Sequence, residues 1–144
     1  MANKASEVNW YDNDVMLVIE GAAADVLKKA AFQIEAETKV NIRDNGQIDT
    51  GFMINSAYAF TRDTSNYGQT QSSGKYRSGK TGRMVEQERA PEVRLPRDAE
   101  AGVAVAAAYA VYQEAVKPFL FPALESVQRQ IGGIIRETKR EKRL

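Results

Sequence analysis

Apolar residues recur at helical spacing from Asp14 to about Arg43. Ile19, Ala23, Val26, Leu27, Ala30, Ala31, Ile34, Thr38 and Ile42 share one face, and Lys28, Lys29, Glu35, Glu37 and Lys39 lie mostly off it. The pattern predicts one long amphipathic helix, capped by Asp12 or Asp14 and stopped by Asn45-Gly46. A helix of about 30 residues would run roughly 45 Å, long for a small domain, which points to support from other subunits.

The period then changes. In residues 48–62, IDTGFMINSAYAFTR, Asp49-Thr50-Gly51 signals a turn or cap. Ala57, Ala59 and Thr61 then alternate with Tyr58 and Phe60, predicting a strand with unequal faces. Residues 63–82, DTSNYGQTQSSGKYRSGKTG, carry no apolar periodicity and read as a flexible loop. A loop of that length inside a compact domain is usually functional. Met84 to Pro91 is expected to return as a short polar strand, and Pro91 and Pro96 bracket a connection. Residues 102–108, GVAVAAA, read as a strand with small residues on both faces, one for a helix and one for another chain.

Pro118 and Pro122 mark the start of a last helix whose stripe is Leu120, Leu124, Val127, Ile131, Ile134, Ile135 and Thr138. Gly132-Gly133 interrupts it, each Gly costing roughly 1 kcal/mol against Ala unless it serves a kink or a close contact. The tail RETKREKRL carries 5 − 2 = +3 charges and is expected to fray. The fold class is therefore α+β: a long N-terminal helix, a small antiparallel sheet with a long inserted loop, and a C-terminal helix packed on the sheet. Its parts are an N-terminal arm (1–13), a single domain (14–135) containing the basic loop 63–82, and a charged tail (136–144). Trp10-Tyr11 would pin the arm to a neighbour or cover the helix start.

Composition narrows the chemistry. The 144 residues suit one domain, and the net charge of +1 gives no global pull toward nucleic acid. Without cysteine or histidine there are no disulfides, no zinc fingers and no His-dependent triads. The polar N-terminus has no signal-peptide core, and no apolar run is long enough to span a bilayer, so a protein made in the cytoplasm is expected.

Residues 74–81, GKYRSGKT, fit the phosphate-loop pattern G-x-x-x-x-G-K-[ST]. Such a loop works between a buried strand and a helix whose N-terminus faces the phosphates. Here no apolar strand precedes it, Gly82 follows at once, and no later apolar run ends in a magnesium-binding aspartate. A nucleotide hydrolase is thus a remote alternative. From Arg62 to Arg83 the charge balance is 5 − 1 = +4, with Tyr67 and Tyr76 interleaved. A second alternative is a nucleic-acid-binding module in which Lys75, Arg77, Lys80 and Arg83 contact phosphates or a partner, against a plain solvated loop. The carboxylates spaced two apart, Glu35/Glu37, Glu86/Glu88 and Asp98/Glu100, form no acid–base pair with a pocket and suit solvated faces. No enzyme activity, cofactor or metal is expected.

Two segments carry a family likeness. One is Ile48-Asp49-Thr50-Gly51-Phe52-Met53-Ile54-Asn55-Ser56, and the other is Tyr109-Ala-Val-Tyr112-Gln-Glu114 followed by Pro118-Phe119-Leu120-Phe121-Pro122-Ala-Leu124-Glu125. With their flanking helices they resemble the head–tail joining proteins of tailed bacteriophages, also called neck, head–tail connector or tail-completion proteins. The likeness covers roughly residues 15 to 135. It departs where Ala115-Val116-Lys117 runs straight into Pro118, and at Phe121, where relatives often carry Arg.

The resemblance implies a structural virion protein, a ring of six or twelve subunits in the neck. Its partners would be a portal, adaptor or stopper protein on one side and a tail terminator or tail-tube protein on the other, with genomic DNA passing through the channel. It also implies that Asp49-Thr50-Gly51 turns the chain into the sheet and that Tyr109 and Tyr112 pack at the core edge. Pro118 and Pro122 would fix the last helix, while Phe121, where the chain departs from the family, would serve a subunit contact if exposed.

Overall fold

The computed structural model describes residues 6–11, 14–19, 24–97 and 99–141. In chain order these form β1 (Ser6–Tyr11), β2 (Asp14–Ile19), α1 (Ala24–Asp44), β3 (Ala57–Thr61), β4 (Gly74–Arg77), β5 (Met84–Gln87), β6 (Ala101–Val105), α2 (Ala110–Val116) and α3 (Leu120–Glu141). One sheet has the order β1-β2-β6-β3, all antiparallel, and β4–β5 form a separate hairpin. The two long helices pack on each other and on one face of the sheet, the α+β architecture the sequence implies.

The helical stripes are where periodicity puts them. Val26, Leu27, Ala30, Ala31, Ile34, Thr38 and Ile42 are all buried on α1, and the Thr38 hydroxyl donates to the Ile34 carbonyl at 2.7 Å. Leu120, Leu124, Val127, Ile134 and Thr138 are buried on α3, with Ile131 and Ile135 packed against the core. Burying each Leu or Ile contributes about 1.5–3 kcal/mol. The helices run antiparallel: Lys29 pairs with Glu141 at one end (2.6 Å), and Asn41 Nδ2 donates to the Phe119 carbonyl at the other (2.9 Å). The charged tail therefore continues α3 to Glu141 and docks on α1 instead of fraying at Arg136. Asn45-Gly46 stops α1 as expected. Gly46 takes φ 73°, its N–H donates to the Arg43 carbonyl, and the Gln47 N–H donates to Ile42. This is a Schellman closure, which favours glycine at the left-handed position.

The start of α1 differs from the sequence reading. Asp14–Ile19 is strand β2, and the expected arm contains β1. After Asp14, VMLVI is a short continuous apolar run, which periodicity alone cannot assign, and a strand flanked on both sides favours its valines and isoleucine. Asp14 pairs with Tyr11 in the ladder rather than capping a helix, while Asp12 and Ala23 lie outside the described residues.

The sheet has two faces with different fillings. Ala57, Ala59, Ala101, Val103 and Val105 meet the helices, and their small size lets α1 approach closely. On the other face Tyr58 and Phe60 of β3 stand opposite Ala104 and Gly102 of β6, so each large ring has a small cross-strand neighbour. This face is not left for another chain. Tyr67, Val93 and Leu95 of the same chain cover it.

Residues 63–82 are accordingly not a structureless loop. Tyr67 lies in a short 3-10 turn, stacks edge-on against Tyr58 with ring centroids 5.2 Å apart, and donates its hydroxyl to the Ala90 carbonyl at 2.6 Å. Arg89 sits 3.7 Å above the Tyr67 ring and donates to Thr70 Oγ1 at 2.9 Å. Residues 74–77 are β4, paired with the expected polar strand β5. The turn after β3 closes that strand's outer edge: Asn66 N–H donates to the Ala59 carbonyl (3.0 Å), and Glu35 accepts from Ala59 N–H (2.8 Å).

Candidate functional site

The two motif segments meet in space. The Thr50 hydroxyl accepts from the Phe52 N–H at 3.1 Å and Gly51 adopts φ 82°, which turns the chain toward β3. Tyr109 precedes α2 and is half-buried, its hydroxyl bonded with the Met53 backbone and the Thr50 side chain. Burial, mainly, pushes the Tyr109 phenol up to about 12; the nearby Asp49 charge adds to this and the two hydrogen bonds oppose it.

Glu114 is the second junction. It is 5% exposed, and its Oε1 accepts from the N–H groups of Leu120 (2.8 Å) and Phe119 (3.3 Å) while Oε2 accepts from Phe121 (3.4 Å). The carboxylate thus caps the otherwise unpaired amides at the start of α3. Burial raises its pKa, and the bonds from Leu120, Phe119 and Phe121 hold that rise back. Pro118 and Pro122 flank this start; Phe119 and Leu120 are fully buried, and Phe121 is 49% exposed.

Tyr112 departs from expectation: it is 69% exposed, not packed at the core edge. Ala110 and Glu114 face inward on α2, and a residue midway between two i, i+4 positions points the opposite way.

Asp49 joins the motif turn to the hairpin. Its carboxylate accepts a short hydrogen bond from the Ser78 hydroxyl and a longer one from Lys80 N–H (3.3 Å). Its backbone carbonyl accepts from Gly79 N–H at 2.7 Å. Ser78 Oγ in turn receives the N–H groups of Lys80 (3.2 Å) and Thr81 (3.0 Å). The Ser78 bond, chiefly, holds the Asp49 carboxyl below the usual range; desolvation opposes it, and the Lys80 amide and charge add lesser help.

This knot accounts for Gly79 of GKYRSGKT, and for the Gly82 that follows it, without a nucleotide. A Cβ on Gly79 would come within 3.0 Å of the Asp49 carbonyl oxygen, and Gly82 takes φ 74° to close the hairpin turn. The segment is strand–turn–strand, with no helix beginning at Lys80-Thr81. The amides that would face a phosphate already face Ser78 and a carboxylate.

Lys75, Arg77, Lys80 and Arg83 are all exposed on this hairpin. They are not equivalent. Lys75 stands opposite Glu86 in the ladder, and Arg77 donates to the Gly82 carbonyl at 2.6 Å. Lys80 lies beside Asp49, and Arg83 follows the turn. Arg62 is not part of this group; it is held by Glu100 at 3.7 Å and by the Arg97 carbonyl.

A cleft of about 430 Å³ lies between the hairpin and the α2–α3 corner, lined among others by Asn45, Gln47, Asp49, Lys80, Tyr109 and Lys117. Asn45 donates to the Pro118 carbonyl (2.9 Å) and Lys117 to the Asn45 carbonyl (3.2 Å), which ties the end of α1 to that corner. Sequence reasoning did not single out Ser78 or Gln47, and it read Asn45 only as part of the stop of α1. Ser78 and Asp49 are 29 positions apart, and neither spacing nor composition links them.

No family model, curated protein or solved structure matches the chain.

Proposed function

We propose that this protein is a structural subunit of a tailed-phage virion, assembling as a ring in the neck between the portal or adaptor side and the tail, with DNA passing through its channel. The support is that the two segments carrying the family likeness form one joint: Thr50 and Met53 hold Tyr109, and Glu114 of the second segment caps α3. The residues of the motif do structural work, with no reactive constellation among them. Electron microscopy of the purified full-length protein, alone and with portal complexes or tails, tests the reading. Rings, or occupancy of the head–tail joint, are the expected result. A chain that stays monomeric and binds neither overturns it.

A second reading has its own observation: Lys75, Arg77, Lys80 and Arg83 are exposed on one hairpin. As a DNA-contacting element this hairpin would bind duplex weakly and with steep salt dependence, and each neutralised cation that touches a phosphate would reduce the salt slope by about 1. Absence of binding at low salt removes that reading and leaves the first intact.

A further inference from the structure

The outward side of β4 has a defined chemistry. Across the hairpin the Ser78 N–H donates to the Arg83 carbonyl at 2.8 Å. In an antiparallel ladder, pairs that exchange backbone bonds alternate with pairs that do not. The Ser78–Arg83 bond therefore sets the phase. Tyr76 and Gly74 bond to Val85 and Gln87, while the N–H and C=O groups of Lys75 and Arg77 point away from β5. Among the described residues nothing else pairs with these outward groups. Gly74, Lys75 and Arg77 are exposed, and a Cβ on Gly74 would meet only the Tyr76 ring, at 3.9 Å.

The side chains beside this edge divide by face. Lys75 and Arg77 share the solvent face, with Glu86 and Met84 opposite them on the β5 side. Tyr76 turns inward, its ring 5.2 Å from that of Phe52. From Gly74 to Arg83 the basic residues are Lys75, Arg77, Lys80 and Arg83, with no acidic residue among them. A second β4 edge would set Lys75 and Arg77 against their own copies, and like charges across strands repel. A phosphate backbone suits the cations but offers only acceptors, which leaves the outward carbonyls without donors. An extended polypeptide supplies N–H and C=O groups in alternation and satisfies both. Cations on an edge discourage neutral and basic strands, so here they select an acidic one.

We propose that the outer edge of β4 binds an extended acidic segment of another protein as an added strand. Acidic side chains two apart on that segment flank Lys75 and Arg77, and the apolar residue between them lies beside Tyr76. The inference goes beyond the ring reading and stands or falls without it.

Amide exchange followed by NMR on the full-length protein tests it, with a capped synthetic peptide alternating glutamate and valine as the probe at millimolar concentration. In the free protein the Tyr76 N–H should exchange at least about tenfold more slowly than those of Lys75 and Arg77, and the peptide should slow the latter two by about tenfold. Lys75→Glu with Arg77→Glu should weaken peptide binding about tenfold, and a peptide alternating lysine and valine should bind that variant in its place. Lys75 and Arg77 amides as slow as Tyr76 in the free protein would mean that the edge is already taken, and overturn the proposal. So would no peptide binding, or binding that leaves those two amides unprotected. Duplex DNA binding that needs Lys75 and Arg77, with no protection by the peptide, overturns it in favour of the DNA reading. Rings by electron microscopy without peptide binding overturn this edge contact and spare the ring reading, whereas peptide protection in a chain that stays monomeric and joins neither portals nor tails does the reverse.

Discussion

Glu114 carries a buried carboxylate because the start of α3 needs an acceptor. Phe119, Leu120 and Phe121 offer N–H groups that the helix cannot pair internally. Glu114→Ala leaves them without that acceptor and should destabilise the fold by about 1–3 kcal/mol, measured by urea unfolding. The pH dependence follows from the raised pKa. Protonation favours the folded state, so this group's contribution is fully present below its unfolded value of 4.5 and is lost as pH rises through the higher folded value. Wild-type stability should fall relative to Glu114→Gln across that window. Asp49 has the opposite sign. Its folded pKa is lowered, so its contribution is present above the model-compound value of 3.8 and disappears as pH falls through the folded value. Asp49→Ala should speed amide exchange at Gly79 and Lys80 while leaving α1 and α3 protected; unchanged exchange there would mean the hairpin is not held by Asp49.

The elements show which signals in the sequence are readable. The stripes of α1 and α3 carry period 3.6 over many turns, and apart from Ala123 on α3 their buried residues were recoverable, as was the αL stop at Gly46. β2 was not, because the five apolar residues from Val15 to Ile19 fit a helix or a strand equally well. Of the 74–87 hairpin, β5 was expected as a polar strand but β4 was not, because only Tyr76 of its four residues turns inward and the rest look like loop. Of the candidate site, the turn at Gly51 and the hinge at Pro118–Pro122 were legible. The Asp49–Ser78 knot was not, since long-range hydrogen bonds between common polar residues leave no periodic trace. The glycine pair in α3 supplies a prediction at this scale. Gly132 and Gly133 are exposed, and a Cβ on either would meet only the Arg136 side chain, at 3.6 and 3.9 Å. They serve no close approach among the described residues. Gly132→Ala and Gly133→Ala should each stabilise the isolated subunit by up to about 1 kcal/mol, read as a rise in Tm.

At the scale of the whole molecule, one thin sheet separates two fillings. The helices cover one face, and Tyr67, Val93 and Leu95 cover the other, with Arg89 holding Tyr67. β6 is buried from Ala101 to Val105 because both layers press on it. The two layers differ in how they can respond to crowding. The helix layer is fixed by α1 and α3 packing on each other. The second layer is a connection held by a ring contact and a few hydrogen bonds, so it yields first. Ala104, which is 1% exposed opposite Tyr58, is the place to separate them. Ala104→Leu has no room for its extra carbons and should cost about 1–3 kcal/mol. The strain should be relieved by lifting Tyr58 and Tyr67 outward, so a protease that cuts after aromatic residues should cleave the variant at Tyr67 much faster than the wild type. Near-equal cleavage of the two under native conditions would mean that the 66–95 chain is not a closed layer, and the sheet's second face would then be open to another subunit.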